Sequence, residues 1–113
     1  MSIEKTATGQ IGAASALLAI LTRHADRPAP GVMLQELQAP DASYQWGVHL
    51  TMYGDLSGFE QWRAALDLNP ADVDHKHSLG GTTAWLVVTG TAYGVPVALY
   101  GFYDLPEPAT TWA

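Results

Sequence analysis

Residues 82–104, TTAWLVVTGTAYGVPVALYGFYD, carry the pattern that decides the fold. Val, Thr, Trp, Tyr and Phe are dense in this stretch, and these residue types favour pleated strands. Tyr93-Gly94 separates two such runs, and glycine supplies the positive φ that a tight turn requires. The stretch therefore predicts a long β-hairpin in which Ala92 pairs with Val95.

This register predicts two different faces for the hairpin. Small residues oppose large ones on the side that we name the core face, which is typical of a close-packed interior. The opposite side, named here the aromatic face, is polar near the turn and apolar near the open end. The residues of the core face are Ala84, Leu86, Val88, Gly90, Ala92, Val95, Val97, Leu99, Gly101 and Tyr103. Those that make the aromatic face a candidate interface are Trp85, Val87, Tyr100 and Phe102.

An antiparallel sheet with one solvated face alternates more cleanly between apolar and polar residues than this hairpin does. We therefore expect something to cover the aromatic face. A helix of the same chain, a second copy and a protein partner are all compatible with the sequence.

The chain has 113 residues and no cysteine. This length predicts a single domain spanning residues 1–113, with flexible ends at residues 1–7 and 105–113. The lack of cysteine excludes disulfides, cysteine-based zinc sites and thiol nucleophiles, and it fits a cytoplasmic protein.

Five basic residues stand against eleven acidic ones, giving a formal net charge of −6. The basic residues form no run, whereas tracking a phosphate backbone requires clustered Lys and Arg. We therefore expect no nucleic-acid partner.

The region before the hairpin predicts two helices and three strands. A helix over Gly9–Ala25, capped by Thr8, precedes strands at Gly31–Gln38 and Tyr44–Tyr53. A second helix begins at a capping box on Ser57 and continues to about Leu68, with Phe59, Trp62 and Leu66 facing inward. The third strand covers Val73–Leu79.

The order helix-strand-strand-helix-three-strand predicts an α+β fold. We expect one mostly antiparallel sheet of five strands, with the two helices mainly on one of its faces. The first helix is expected to bury one stripe, comprising Ile11, Ala14, Leu18, Leu21 and Ala25, widened by Leu17 and Ile20. Its uncharged run is too short to span a bilayer, so no membrane partner is expected.

Asp74-His75-Lys76-His77 is the best candidate for chemistry. Two histidines at i and i+2 point to the same side of a strand, so both rings can reach one divalent metal such as zinc. His49, on the polar side of its own strand, is the candidate third ligand. A plain turn at Gly80-Gly81 places both rings of the pair on the core face, and a one-residue bulge places them on the aromatic face.

No other arrangement in the sequence indicates catalysis. Ser43, Ser57 and Ser78 lie in a turn, at a helix start and in a strand, and none is in a Gly-x-Ser-x-Gly elbow. The phosphate-binding loop pattern, with its lysine and following helix, does not occur. The sequence therefore predicts no catalytic residues.

Residues 58–102, GFEQWRAALDLNPADVDHKHSLGGTTAWLVVTGTAYGVPVALYGF, resemble small uncharacterised proteins of actinobacteria and their phages or mobile elements. The resemblance covers the C-terminal half and is one of overall texture. It implies a cytoplasmic protein with an accessory role, and it carries over no catalytic residue.

Three functional hypotheses follow. The first is a non-enzymatic accessory protein that self-associates, or binds a protein partner, through Trp85, Val87, Tyr100 and Phe102. The second is a metal-binding, hydrolytic protein that uses His49, His75 and His77. The third is a small-molecule binding domain with a helix–sheet cleft walled by Trp46, Tyr53 or Tyr100.

Overall fold

In the computed structural model, which describes residues 6–105, two α-helices pack on one five-stranded sheet. The helices are α1 (Ile11–Arg23) and α2 (Leu56–Ala65), and 3-10 turns lie at Ala7–Gln10 and Pro70–Asp72. The strands are β1 (Gly31–Gln38), β2 (Tyr44–Tyr53), β3 (Asp74–His77), β4 (Thr83–Ala92) and β5 (Val95–Asp104). The predicted α+β class and the predicted order of elements are confirmed.

The strand order across the sheet is β1-β2-β5-β4-β3. β2 and β5 are parallel, and the other neighbouring strands are antiparallel. The parallel pair arises because the chain crosses over through α2 before it returns with β3, β4 and β5. As a result, β5 is central, while β1 and β3 are the two edges.

The hairpin of β4 and β5 has the predicted register. Ala92 pairs with Val95, and the ladder continues to Thr83 opposite Asp104. Tyr93 has φ 54° and Gly94 has φ 81°. Two successive positive φ values belong to the type I′ turn, whose twist matches that of the flanking strands.

Both helices cover the core face of the sheet. Ile20 of α1 and Phe59 and Trp62 of α2 join one buried cluster with Val48 of β2 and Leu99 of β5. The inward stripe predicted for α2 is confirmed, since Phe59, Trp62 and Leu66 are all buried. The core therefore lies between the helices and one side of the sheet only.

The stripe predicted for α1 is mostly wrong. Ile11 and Leu18 are 61% and 68% exposed, whereas Ala13, Ala16 and Ile20 are the buried residues of this helix. α1 has no charged residue before Arg23, and only Ser15 and Thr22 mark its outer side, so its sequence distinguishes the two sides weakly. Packing against the sheet selects the face that is buried.

The residues predicted to cap the two helices, Thr8 and Ser57, are both wrong. Thr8 lies inside the 3-10 turn that precedes α1, and the first residues of α1 receive no side-chain cap. α2 is capped by Asp55, whose carboxylate accepts a hydrogen bond of 2.7 Å from the N–H of Gly58. Because α2 begins at Leu56, Ser57 lies within its first turn.

The predicted flexible ends fall mostly on residues 1–5 and 106–113, which lie outside the described residues. Leu105 is described, and its N–H donates a hydrogen bond of 2.9 Å to the carbonyl oxygen of Thr82. Within residues 6–105, neither helix is long and apolar enough to cross a membrane.

Candidate functional site

Four aromatic rings lie together on the aromatic face, and Phe102 is at their centre. Its ring centroid lies 5.5 Å from that of Tyr53, 5.8 Å from that of Trp85 and 5.9 Å from that of Tyr100. Three of the four predicted interface residues, Trp85, Tyr100 and Phe102, thus form one continuous cluster. Val87 completes it, because Val87 pairs directly with Tyr100 across β4 and β5.

β2 contributes residues to this face that the sequence did not assign to it. Tyr53 pairs with Phe102, and His49 pairs with Ala98, because β2 lies parallel to β5. The sequence places Tyr53 and His49 on the polar side of β2, but it gives no indication of which strand β2 adjoins. The long-range parallel pairing therefore extends the aromatic face onto a third strand.

The aromatic face lies on the opposite side of the sheet from both helices. Tyr53 is 74% exposed, Met33 is 55% exposed, and the four predicted interface residues are half-buried. Small side chains between the large ones are inaccessible to solvent, as Ala98 is only 2% exposed beside His49 and Tyr100. The surface is thus continuous, apolar around the rings and polar toward the hairpin turn at Thr89 and Thr91, and no helix of residues 6–105 covers it.

Charged residues lie only at the margins of this face within the described strands. Asp74 and Lys76 lie on the edge strand β3, opposite Val87 and Trp85 of β4. Asp104 lies at the open end of β5. The centre of the face is uncharged, although the chain as a whole carries a formal charge of −6.

His49 is the titratable group nearest the centre of the face. Its ring stacks on Tyr100 with centroids 4.6 Å apart, and its Nδ1 lies 3.2 Å from the hydroxyl oxygen of Thr51. Its neighbours across the sheet are Met33 of β1 and Ala98 of β5, and both are uncharged. Burial against these groups lowers the pKa of His49 from its ordinary value of 6.5, because the charged ring loses hydration.

The three histidines predicted as metal ligands are not brought together. His75 pairs with Leu86 and His77 with Ala84, so the turn has the plain register and both rings lie on the side of the core face. His49 lies on the opposite face, and β5 and β4 separate its strand from β3. The three therefore cannot share one ion, and residues 6–105 contain no group of three metal-binding side chains around a common point.

His75 and His77 are exposed even though they are on the core side, because β3 is an edge strand beyond the cover of the helices. His75 Nε2 shares a hydrogen bond with the hydroxyl group of Tyr103, and the two rings stack with centroids 5.9 Å apart. This contact gives His75 a structural partner on the neighbouring hairpin.

The predicted cleft residues do not line one helix–sheet cleft. Tyr53 and Tyr100 are on the aromatic face, whereas Trp46 pairs with Glu36 on the other side of the sheet. A groove of about 330 Å³ does lie between the helices and the start of β1, and other residues line it: Leu21, His24, Ala25, Arg27, Ala29, Pro30, Val32 and Trp62.

Trp62 anchors this groove. Its Nε1–H donates a hydrogen bond of 2.7 Å to the carbonyl oxygen of Pro28, which ties α2 to the connection between α1 and β1. His24 meets the Trp62 ring edge-on, with centroids 5.9 Å apart. The inward stripe of α2 predicts the burial of Trp62, but not its bond to a loop 34 residues away.

Comparison of the chain with family models, curated proteins and solved structures found no match.

Proposed function

We propose that this protein is a non-enzymatic accessory protein that forms a homodimer by packing its aromatic face against the same face of a second copy. One observation carries the proposal: the cluster around Phe102 lies on the sheet side opposite both helices. Aromatic residues concentrated in the centre of an apolar patch, with charges at its rim, are the usual composition of a protein interface.

The size of the face supports a second copy as the occupant. Five strands spaced by ~4.8 Å and rising ~3.3 Å per residue give a surface on the order of 700 Å² once the shorter edge strands are allowed for. A standard interface buries roughly 600–1,000 Å² on each partner. Face-to-face packing of two such sheets therefore reaches the size of a stable interface without additional elements.

The distribution of charge supports self-association as well. Two copies with the same negative charge repel each other wherever their acidic residues approach. On this face the acidic residues, Asp74 and Asp104, lie only at the margin, so the uncharged centres can meet without opposing like charges. A symmetric interface also needs a surface that is complementary to itself, and a gently contoured sheet face provides one.

A sheet face with exposed aromatic rings is also the surface that some RNA-binding domains use to stack bases. That mode requires cations beside the rings to hold the phosphates. Lys76 is the only cation that the described strands place on this face, and Asp74 lies two residues from it on the same strand. The electrostatics thus favour a protein surface over a nucleic acid.

The test is the mass of the untagged protein and of matched variants, measured by native mass spectrometry and by sedimentation. At low protein concentration, the parent should have twice the chain mass of 12.1 kDa. At that same concentration the double variant Trp85→Thr/Phe102→Thr should be a folded monomer, because threonine keeps the strand preference while removing the aromatic area. A double variant that dimerises like the parent would refute the proposal.

The matched control replaces two large apolar residues that are exposed on α1, away from the aromatic face. Ile11→Gln/Leu18→Gln removes the exposed side chains of α1 and should leave the dimer intact.

If the Trp85/Phe102 variant does not fold, Val87→Lys places a charge at the centre of the face and leaves the rings in place. Dissociation of that variant supports the proposal, and an unchanged dimer refutes it.

A further inference from the structure

The two edges of the sheet differ sharply in how they are protected from pairing with another strand. β3 has only four residues, all exposed, and they include Asp74 and Lys76. Short, charged edge strands are a common protection against edge-to-edge association. β1, at the other edge, has eight residues, and its first five, GVMLQ, contain neither charge nor proline.

The side chains of β1 are also poorly covered on both sides. Val32 points to the core face and Met33 to the aromatic face, and they are 46% and 55% exposed. Apolar side chains on both faces are typical of a strand inside a sheet, but β1 lies at its edge, where these side chains remain half-exposed. This combination marks β1 as a surface for strand addition.

The direction of the backbone groups of β1 follows from its pairing with β2. The N–H of Ala39 donates a hydrogen bond of 2.7 Å to the carbonyl oxygen of Ser43 across the connecting turn. The register between the two strands is uniform, and antiparallel residues alternate between pointing toward and away from their partner strand. Met33 and Gln35 therefore direct their N–H and C=O groups at β2, while Val32 and Leu34 direct theirs outward.

We infer that β1 of one molecule pairs antiparallel with β1 of a second copy, with Met33 on the two-fold axis. Val32 of each molecule then lies opposite Leu34 of the other. Each of these two pairs exchanges two hydrogen bonds, so four bonds join the molecules. The result is one continuous sheet through both copies.

The charge and chemistry of the strand favour a second copy as the occupant in this register. Glu36 lies beyond the paired segment, opposite Pro30, so the two glutamates do not face each other. Proline has no N–H to donate, so pairing ends naturally at that position. The paired segment thus joins only uncharged residues.

A groove adds side-chain recognition to the backbone bonds. The 330 Å³ groove of α1 and α2 opens beside Val32 on the core side, with Leu21 and Trp62 among its walls. The incoming Leu34 lies next to Val32 on that same side in the proposed register. Strand addition typically gains affinity from main-chain bonds and specificity from pockets for alternate side chains.

Residue-resolved amide exchange at low and high protein concentration tests this inference. The amides of Val32 and Leu34 should exchange at least about tenfold more slowly at high concentration, the protection expected when each is hydrogen-bonded between molecules. The amides of Met33 and Gln35 should be protected at both concentrations by β2. If exchange at Val32 and Leu34 does not depend on concentration, the pairing is refuted. Slow exchange at both concentrations would then mean that these amides are covered within one molecule.

A second measurement does not depend on the first. Met33→Lys places two like charges on the symmetry axis and should abolish the concentration dependence at Val32 and Leu34. Ile11→Lys, at an equally exposed apolar position on α1, should preserve it. Equal protection in both variants would overturn the inference.

The aromatic-face variant separates this pairing from the proposed dimer. Edge pairing uses backbone groups that the aromatic face does not contain, so Trp85→Thr/Phe102→Thr should keep the concentration-dependent protection of Val32 and Leu34. If this variant loses both the aromatic-face dimer and the protection of Val32 and Leu34, then β1 does not pair independently of the aromatic face, and the inference is overturned.

Discussion

Gly101 on β5 lies directly beneath α2 and allows a test of which face that helix covers. A methyl group added there would lie 2.8 Å from Cδ2 of Phe59, and 3.1 Å from both its Cβ and its Cγ. Real Cβ atoms essentially never approach another atom to 2.8 Å, and a distance of 3.1 Å is tighter than nine in ten of their contacts. Because Cβ of Phe59 is fixed to the helix backbone, rotation of the ring alone cannot relieve the crowding, and α2 itself must move.

We therefore expect Gly101→Ala to destabilise the fold by about 1–3 kcal/mol, the usual cost of overpacking a filled core. For a domain of this size each 1 kcal/mol corresponds to roughly 4–8 °C in melting temperature. Urea unfolding followed by tryptophan fluorescence measures the change, since Trp62 is buried beside Phe59. Gly80→Ala is the matched control, because the nearest atom to its added methyl group is Oγ1 of Thr82 at 4.0 Å.

A compensating change makes this test specific. Phe59→Leu shortens the side chain above Gly101, so the double variant should recover part of the loss, with a coupling energy of about 0.5 kcal/mol or more. If Gly101→Ala is as stable as Gly80→Ala, then α2 does not rest on this side of β5. The aromatic face, on the opposite side of the sheet, would then not be the face that α2 leaves uncovered.

Two further predictions concern local electrostatics. Asp55→Ala should cost about 1 kcal/mol of stability in a denaturant melt by removing the cap of α2, whereas Ser57→Ala should change it by only a few tenths. Equal losses of stability in the two variants would indicate that Ser57 contributes to the cap as much as Asp55 does. Burial lowers the pKa of His49, so its contribution to stability should be complete above pH 6.5 and should be lost as the pH falls through the lower folded-state pKa. His49→Gln should flatten the acid side of the stability profile, and an unchanged slope would contradict the desolvation of His49.

The hairpin of β4 and β5 could be predicted to the residue because its information is local. Tyr93-Gly94 is a two-residue turn, and a two-residue turn fixes every pair of the ladder. The bounds of β2 were equally predictable, since alternation of residue types extends over Tyr44–Tyr53. In both cases neighbouring residues along the chain determine the result.

The buried side of α1 is only weakly marked in its sequence, because no charged residue precedes Arg23 and only Ser15 and Thr22 are polar on its outer side. Ile11 and Leu18 fit a helical stripe as well as Ala13 and Ile20 do, and the shape of the sheet decides between them. Small residues at Ala13 and Ala16 allow the helix to approach the strands closely, which leaves the larger Ile11 and Leu18 outside. This choice depends on tertiary contacts that no local pattern contains.

The candidate site was only partly predictable for a similar reason. Trp85, Tyr100 and Phe102 come from one hairpin, so its register alone brought them together. Tyr53 and His49 reach the same face through the parallel pairing of β2 with β5, which joins distant parts of the chain. The same pairing removed His49 from the predicted metal site, because it placed that side chain on the opposite face from His75 and His77.

The dimensions of the elements explain why one face is left open. Five strands at ~4.8 Å spacing make a sheet about 24 Å wide, and two helices of ~10 Å diameter cover about 20 Å of it. α1 and α2, with 13 and 10 residues, thus cover most of the core face and leave its edge strands partly exposed. Residues 6–105 contain no further α-helix for the aromatic face, yet its central strands carry aromatic rather than charged residues. In the proposed dimer a second copy covers this face, because it provides a surface of the same size with an equally uncharged centre.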